Sequence, residues 1–327
     1  MHTSAGAAQT GSLLATRQAL PHLLDDMQAT AAAPIGVFDS GIGGLSVLLA
    51  LQAELPAERF VYLADGAGAP YGGRSSGFVH DRSQAITEYL RQEHAIKALV
   101  VACNTATSAA IDALRDAHPD LPIIGVEPAL KPAARVTRTR RIAVMATRST
   151  TASPRFARLL AALPDDIECI VQPCDGLADA IEHAAAAGLA AVFADAAVTA
   201  LCARYVRGLG PLGRTAGAVD TIVLGCTHYV FAQAAIAAVA GAGVRLLDTG
   251  DPVARQARRL LGRLDLLRPT RGAPPPLLLT ATSNLAQLRA IARDWPDRPA
   301  LTARAVLPPA TMQSGAGARA RAGAVHD

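Results

Sequence analysis

The sequence predicts an α/β protein built on parallel sheets, and three observations carry that reading. Short apolar runs alternate with stretches of helical periodicity, the pattern of strands joined by crossover helices. Most of those runs end in Gly, Asp, Ser, Thr or Asn, which open a loop or cap the next helix. At 327 residues, 51% of them hydrophobic, the chain can build one large α/β unit or two domains.

Nine strands are expected, in order Ile35–Phe38, Phe60–Leu63, Ala98–Ala102, Ile123–Val126, Ile142–Met145, Ile167–Gln172, Thr221–Leu224, Arg245–Leu247 and Leu277–Leu279. Ligands of open α/β sheets gather at the carboxyl ends of strands, so the residues just past each run are the first candidates for chemistry. A partial internal echo appears there. Ile35-Gly-Val-Phe-Asp-Ser precedes a run ending Val-Val-Ala-Cys103-Asn-Thr, and Ile142-Ala-Val-Met-Ala-Thr precedes one ending Val-Leu-Gly-Cys226-Thr-His. Each half thus offers a strand that ends in cysteine followed by two polar residues. Arg135–Arg141 lies between the halves as a solvated connector. Residues 1–33 are polar and Ala-rich and read as an N-terminal extension, and residues 308–327, rich in Gly, Ala and Arg, as a disordered tail.

Composition removes several function classes. No segment reaches the run of about 18 apolar residues that a membrane helix needs. Residues 1–33 lack the basic start and apolar stretch of a secretory signal. Five scattered cysteines are an odd number and suit reduced thiols rather than a disulfide framework. A cytoplasmic protein is expected. The formal charge is +4, and Lys97 and Lys131 are the only lysines among 31 basic residues. Such arginine usage follows from GC-rich coding without any nucleic-acid partner.

Cys103 and Cys226 stand at strand exits beside Asn104-Thr105 and Thr227-His228, whereas Cys169, Cys174 and Cys202 lack that setting. The Cys-x-x-Cys spacing of disulfide oxidoreductases is absent. A metal set of Cys103, Cys226, His228 and Asp39 lacks a usual zinc spacing, so no metal is expected. Acid–base work at carbon remains. One thiol takes a proton from one face of a substrate carbon and the other returns one to the opposite face, which suits a group whose pKa of about 8.5 its neighbours can tune. Pyridoxal phosphate is disfavoured: Lys97 precedes its strand, at the wrong end for the site, and Lys131 has no cofactor context.

Two loops complete the candidate set. In Val37–Ser46 a strand ends at Asp39-Ser40, and glycines then let the backbone pass close to a small anion before a helix begins. No nucleotide-loop ending follows. Asp65–Arg74 is Gly- and Pro-rich and offers the Tyr71 phenol and the close backbone of Gly72.

Taken together, PIGVFDSGIGGLSVL (34–48), YLADGAGAPYGGRS (62–75), LVVACNTATSAAID (99–112), IIGVEPALKPA (123–133) and IVLGCTHYVF (222–231) resemble the glutamate racemases, cofactor-independent amino-acid racemases. The resemblance covers about residues 34–285 and keeps the five motifs in order. It implies two similar parallel-sheet α/β domains with the active site in the cleft between them. The first domain is expected to hold residues 34–133 and 245–307, the second 134–244. Cys103 and Cys226 would be the catalytic thiols, tuned by Asp39 and His228. Asp39, Ser40, Tyr71, Gly72, Asn104, Thr105, Thr227 and His228 would hold the ammonium and carboxylate groups of glutamate. The family also uses a second-domain glutamate, for which Glu182 in GLADAIEHA is one candidate. No cofactor is implied; the function would be D-glutamate supply for peptidoglycan, and a homodimer is one assembly open to the chain. Two departures stand out: Gly66–Ala69 replaces a more polar stretch, and Val230 stands where a proline is usual. An acidic substrate other than glutamate, such as aspartate, and a regulatory role in macromolecule binding are the alternative readings.

Overall fold

The computed structural model describes residues 30–269, 275–294 and 301–306. Most of the N-terminal extension and all of the expected C-terminal tail lie outside the described residues. Among the described residues ten strands form two sheets, every pair parallel. They are β1 Ile35–Asp39, β2 Phe60–Ala64, β3 Ala98–Val101, β4 Ile123–Gly125, β5 Arg141–Ala146, β6 Glu168–Pro173, β7 Thr221–Leu224, β8 Arg245–Leu247, β9 Leu277–Ala281 and β10 Leu301–Ala305. The first sheet runs β10-β9-β2-β1-β3-β4 and the second β6-β5-β7-β8. The central strands β1, β2, β3 and β7 are buried along their whole length, as parallel strands covered on both faces must be.

Short polar caps start the crossover helices. Ser75 caps Ser76–His94 by accepting from Phe78 N, Ser153 caps Pro154–Ala161, and Asp195 caps Ala196–Arg207. The Pro154 ring sits in the first turn, where a missing N–H costs nothing.

The domain boundary differs from the expected one. β8, Arg245–Leu247, pairs with β7 in the second sheet, so residue 245 does not begin the return to the first domain. A sequence can show that a three-residue run is a strand without showing which sheet edge it completes. The return begins with helix Gly250–Arg263, which packs on Leu45–Glu54 of the first domain, before β9 joins β2. Lys97 fixes the segment that follows. Its ammonium is buried and donates to Glu58 Oε2 (2.5 Å), Ala31 O (2.6 Å) and Leu266 O (2.8 Å). Glu58 Oε1 in turn accepts from Arg268 N at 2.8 Å. This lysine ties the chain together at the sheet end away from the strand exits.

Candidate active site

The strand exits of both sheets converge. One cleft is lined by Ser40, Tyr71, Gly72, Cys103, Asn104 and Thr105 from the first domain, and by Thr147, Glu182, Cys226, Thr227 and His228 from the second. Asp39 lies behind Ser40, fully buried. Each cysteine therefore enters the same cleft from a different sheet. Contacts join the rims: Thr105 and Thr147 hydroxyls lie 3.1 Å apart, and Ser149 Oγ donates to Gly72 O at 2.6 Å.

Cys103 caps helix Asn104–Ala117, its sulfur accepting from Ala106 N at 3.5 Å and lying 3.9 Å from Ser40 Oγ. Burial and then the neighbouring Asp39 carboxylate push this thiol well above its ordinary range, against the pull of the Ala106 amide. Asp39 is raised as well, by burial first, while His228 and the Gly44 amide oppose that shift. Its Oδ2 accepts from Gly44 N at 2.7 Å, but Oδ1 is buried without a protein partner.

Cys226 has a different neighbourhood. Its sulfur lies 3.8 Å from His228 Nδ1, and His228 Nε2–H donates to Glu182 Oε2 at 2.6 Å. Burial works against a charged imidazole, but the hydrogen bonds to Cys226 and Glu182 and their negative charges outweigh it and lift His228 well above the ordinary range. A carboxylate acceptor fixes the proton on Nε2. Glu182 is itself oriented: Oε2 accepts from Ile42 N (3.2 Å) and Oε1 from Gln287 Nε2 (3.3 Å). Helix Leu177–Ala184 of the second domain is thereby bonded to the glycine loop of the first.

Gly41 and Gly43 let that loop pass this close to the second domain. A Cβ on Gly41 would come within 2.5 Å of the Glu182 carboxylate, and one on Gly43 would overlap His228 and Thr227. The Tyr71 phenol is already committed, donating to Asp65 Oδ2 at 2.5 Å, and Asp65 is gripped by Arg82 and by Thr282 Oγ1. What Tyr71 offers the cleft is its ring and backbone rather than its hydroxyl. Asn104 differs: both of its side-chain amide atoms are buried with no protein partner. Such atoms are costly unless a ligand supplies the missing bonds.

The candidate residues read from the sequence, Asp39, Ser40, Tyr71, Gly72, Cys103, Asn104, Thr105, Cys226, Thr227 and His228, are thus brought together at one place. Thr147 belongs with them and was missed, although it follows the β5 run just as Asp39-Ser40 follow β1. Glu182 also lies here, its role visible only from its contact with His228. Among the described residues no group of three or more His, Cys, Asp or Glu could hold a metal ion, and no helix is long and apolar enough to cross a membrane.

Chemically, the cleft holds two sulfurs with unlike partners and a ring of hydroxyl and amide groups, with the buried Asp39 carboxylate behind Cys103. It can exchange protons with a small zwitterion. The model of the Asp/Glu/Hydantoin racemase family matches residues 35–257. A glutamate racemase of Pseudomonas paraeruginosa is 44% identical over 76% of this chain and 88% of its own length, and one of Herpetosiphon aurantiacus 50% identical over 72% and 87%. Among solved structures, glutamate racemase RacE1 of Bacillus anthracis superposes with a TM-score of 0.70 at 29% identity, covering 84% of this chain and 97% of its own. The Escherichia coli glutamate racemase bound to L-glutamate and the activator UDP-MurNAc-Ala gives 0.69 at 29% identity, over 84% and 99%. On the family match and these identities together, the chain belongs to the Asp/Glu/Hydantoin racemase family.

Proposed function

We propose that this protein interconverts L- and D-glutamate without a cofactor, using Cys103 and Cys226 as a paired acid and base. The observation that carries the reading is the entry of the two thiols into one cleft from separate sheets, each with its own acid–base neighbour. In one direction a thiolate takes the α-proton, the Cα–H electron pair stays on carbon, and the opposing thiol gives its proton to the other face. The spent thiolate and the newly formed thiol have exchanged roles, and the reverse reaction restores them.

A thiol buried beside a carboxylate ionises only when positive charge arrives. The substrate ammonium, bound in the cleft in front of the buried Asp39 carboxylate, supplies that charge next to Cys103. On the other side the imidazolium of His228, held by Glu182, offsets thiolate charge on Cys226. Asn104, Thr105, Thr147 and Thr227 surround the substrate's carboxylates with donors. Excluding water from so narrow a cleft strengthens each of these contacts. D-Glutamate made this way would serve wall-precursor synthesis in the cytoplasm, where catalytic thiols stay reduced.

Glutamate is favoured over aspartate by the names of the relatives. Chiral separation after incubation with L-glutamate, L-aspartate and L-alanine tests this. Conversion of glutamate at a kcat/KM at least a hundredfold above the other two is expected; preferred conversion of aspartate would overturn the substrate.

A further inference from the structure

A second cavity, of about 250 Å³, opens at the opposite end of the second sheet, where β5, β7 and β8 begin. Three arginines from three separate segments line it: Arg138 on the connector into β5, Arg214 on the loop ahead of β7, and Arg245 at the start of β8. All three are exposed, and none has an ion pair or side-chain hydrogen bond among the described residues. Their chain neighbours differ: Arg140 pairs with Asp166, and Arg141 with Glu168 and the Gly217 carbonyl.

Asp220, the one acid lining the cavity among the described residues, has its oxygens committed elsewhere. Its Oδ1 accepts from Thr137 Oγ1 (2.7 Å) and Thr221 Oγ1 (2.9 Å), and its Oδ2 from the backbone amides of Arg138 (2.6 Å) and Thr139 (3.1 Å). All its acceptor capacity goes into the wall, and the same bonds fix the backbone that carries Arg138. Arg214 is steadied from another side. The loop is tied by Gly213 N to Val219 O and Val219 N to Pro211 O, and a Cβ on Gly243 would come within 3.3 Å of Gly213 Cα. The cavity is therefore a positioned frame carrying three uncommitted guanidinium groups.

We infer that the cavity framed by Arg138, Arg214 and Arg245 binds the phosphate group of a small anion, at a site separate from the thiol cleft. Three positive charges against the one carboxylate of Asp220 leave an excess of two, which matches a phosphate group at neutral pH better than a carboxylate. Guanidinium forks suit phosphate oxygens, which accept paired N–H bonds. The volume is below that of a pocket enclosing a whole drug-sized ligand, so a phosphate or diphosphate enters and anything attached to it stays outside.

Titration calorimetry of the full chain with inorganic pyrophosphate, at fixed ionic strength, tests the site. One equivalent should bind, at least tenfold more weakly to the Arg214→Gln/Arg245→Gln double variant, with unchanged affinity in Arg255→Gln, an arginine on Gly250–Arg263 outside the cavity. The double variant should keep its melting temperature and its racemisation rate in phosphate-free buffer. Adenosine and uridine diphosphates form a second arm: tighter binding than pyrophosphate assigns the group to a nucleotide, and equal binding to a free phosphate. The inference is overturned if pyrophosphate does not bind at millimolar concentration, if Arg255→Gln weakens it as much as the double variant does, or if only duplex DNA binds.

Discussion

His228 Nε2 lies 2.6 Å from Glu182 Oε2, a contact between the strand exit of β7 and a helix 46 residues earlier in the chain. It places a positive charge beside Cys226, just as Asp39 places a negative one beside Cys103. The two thiols are chemically unlike before substrate arrives, and that difference is open to measurement.

Glu182→Gln removes the charge that holds the His228 proton. The folded-state pKa of His228 stands above its unfolded value, so its stabilisation is complete below about pH 6.5 and is lost as pH rises through the raised folded value. The variant should therefore be less stable by about 1–3 kcal/mol near pH 6, with the gap closing toward alkaline pH. The alkaline limb of kcat/KM should move to lower pH. Denaturant melts and rate profiles across pH 5.5–9.5 decide it, and a gap that widens with pH would refute the assignment.

Gly41→Ala drives a methyl into the Glu182 carboxylate, while a Cβ on Gly73 meets nothing within 4 Å. We expect kcat/KM to fall about a hundredfold in the first variant, the scale on which misplaced catalytic groups act, and to hold within twofold in the second. Steady-state kinetics on both settles the point; equal rates would show that the loop yields.

Asn104→Ala deletes two buried amide atoms that have no protein partner. Its cost should fall on KM, by tenfold or more, with little loss of melting temperature, because no hydrogen bond within the protein is given up. A large drop in stability with KM unchanged would make Asn104 a packing residue.

Arg82→Met tests the frame behind Tyr71. Arg82 and Asp65 form a buried pair, and Asp65 also accepts from Tyr71 and Thr282. Removing the guanidinium leaves a buried carboxylate without its counter-charge, a loss of about 3–5 kcal/mol. Arg82→Met/Asp65→Leu should recover most of it. Equal stability of the single and double variants would deny the pairing.

The strands of the two central layers could be read from the sequence because parallel strands buried on both faces appear as unbroken apolar runs, as in Ile35-Gly-Val-Phe and Ala98–Val101. β10, Leu301–Ala305, was missed because an exposed edge strand has no such run: Leu-Thr-Ala-Arg-Ala is mostly exposed. β8 was legible as a strand but assigned to the wrong sheet, since pairing is a property of space. The cysteines and their polar followers stood out because small reactive residues after buried runs are conspicuous. Glu182 carried no such mark: an acid on an amphipathic helix looks like any solvated one until His228 is found beside it. The Tyr71 hydroxyl was open to misreading, because its acceptor Asp65 lies six residues earlier and faces Arg82.

The most direct measurement follows L-glutamate in deuterium oxide with the wild-type chain and with Cys103→Ala and Cys226→Ala. The wild type should yield D-glutamate carrying deuterium at the α-carbon, and each variant should lose at least a hundredfold in its formation while melting as the parent does. D-Glutamate that keeps its α-proton, or a variant that racemises at the parental rate, would contradict the two-thiol account.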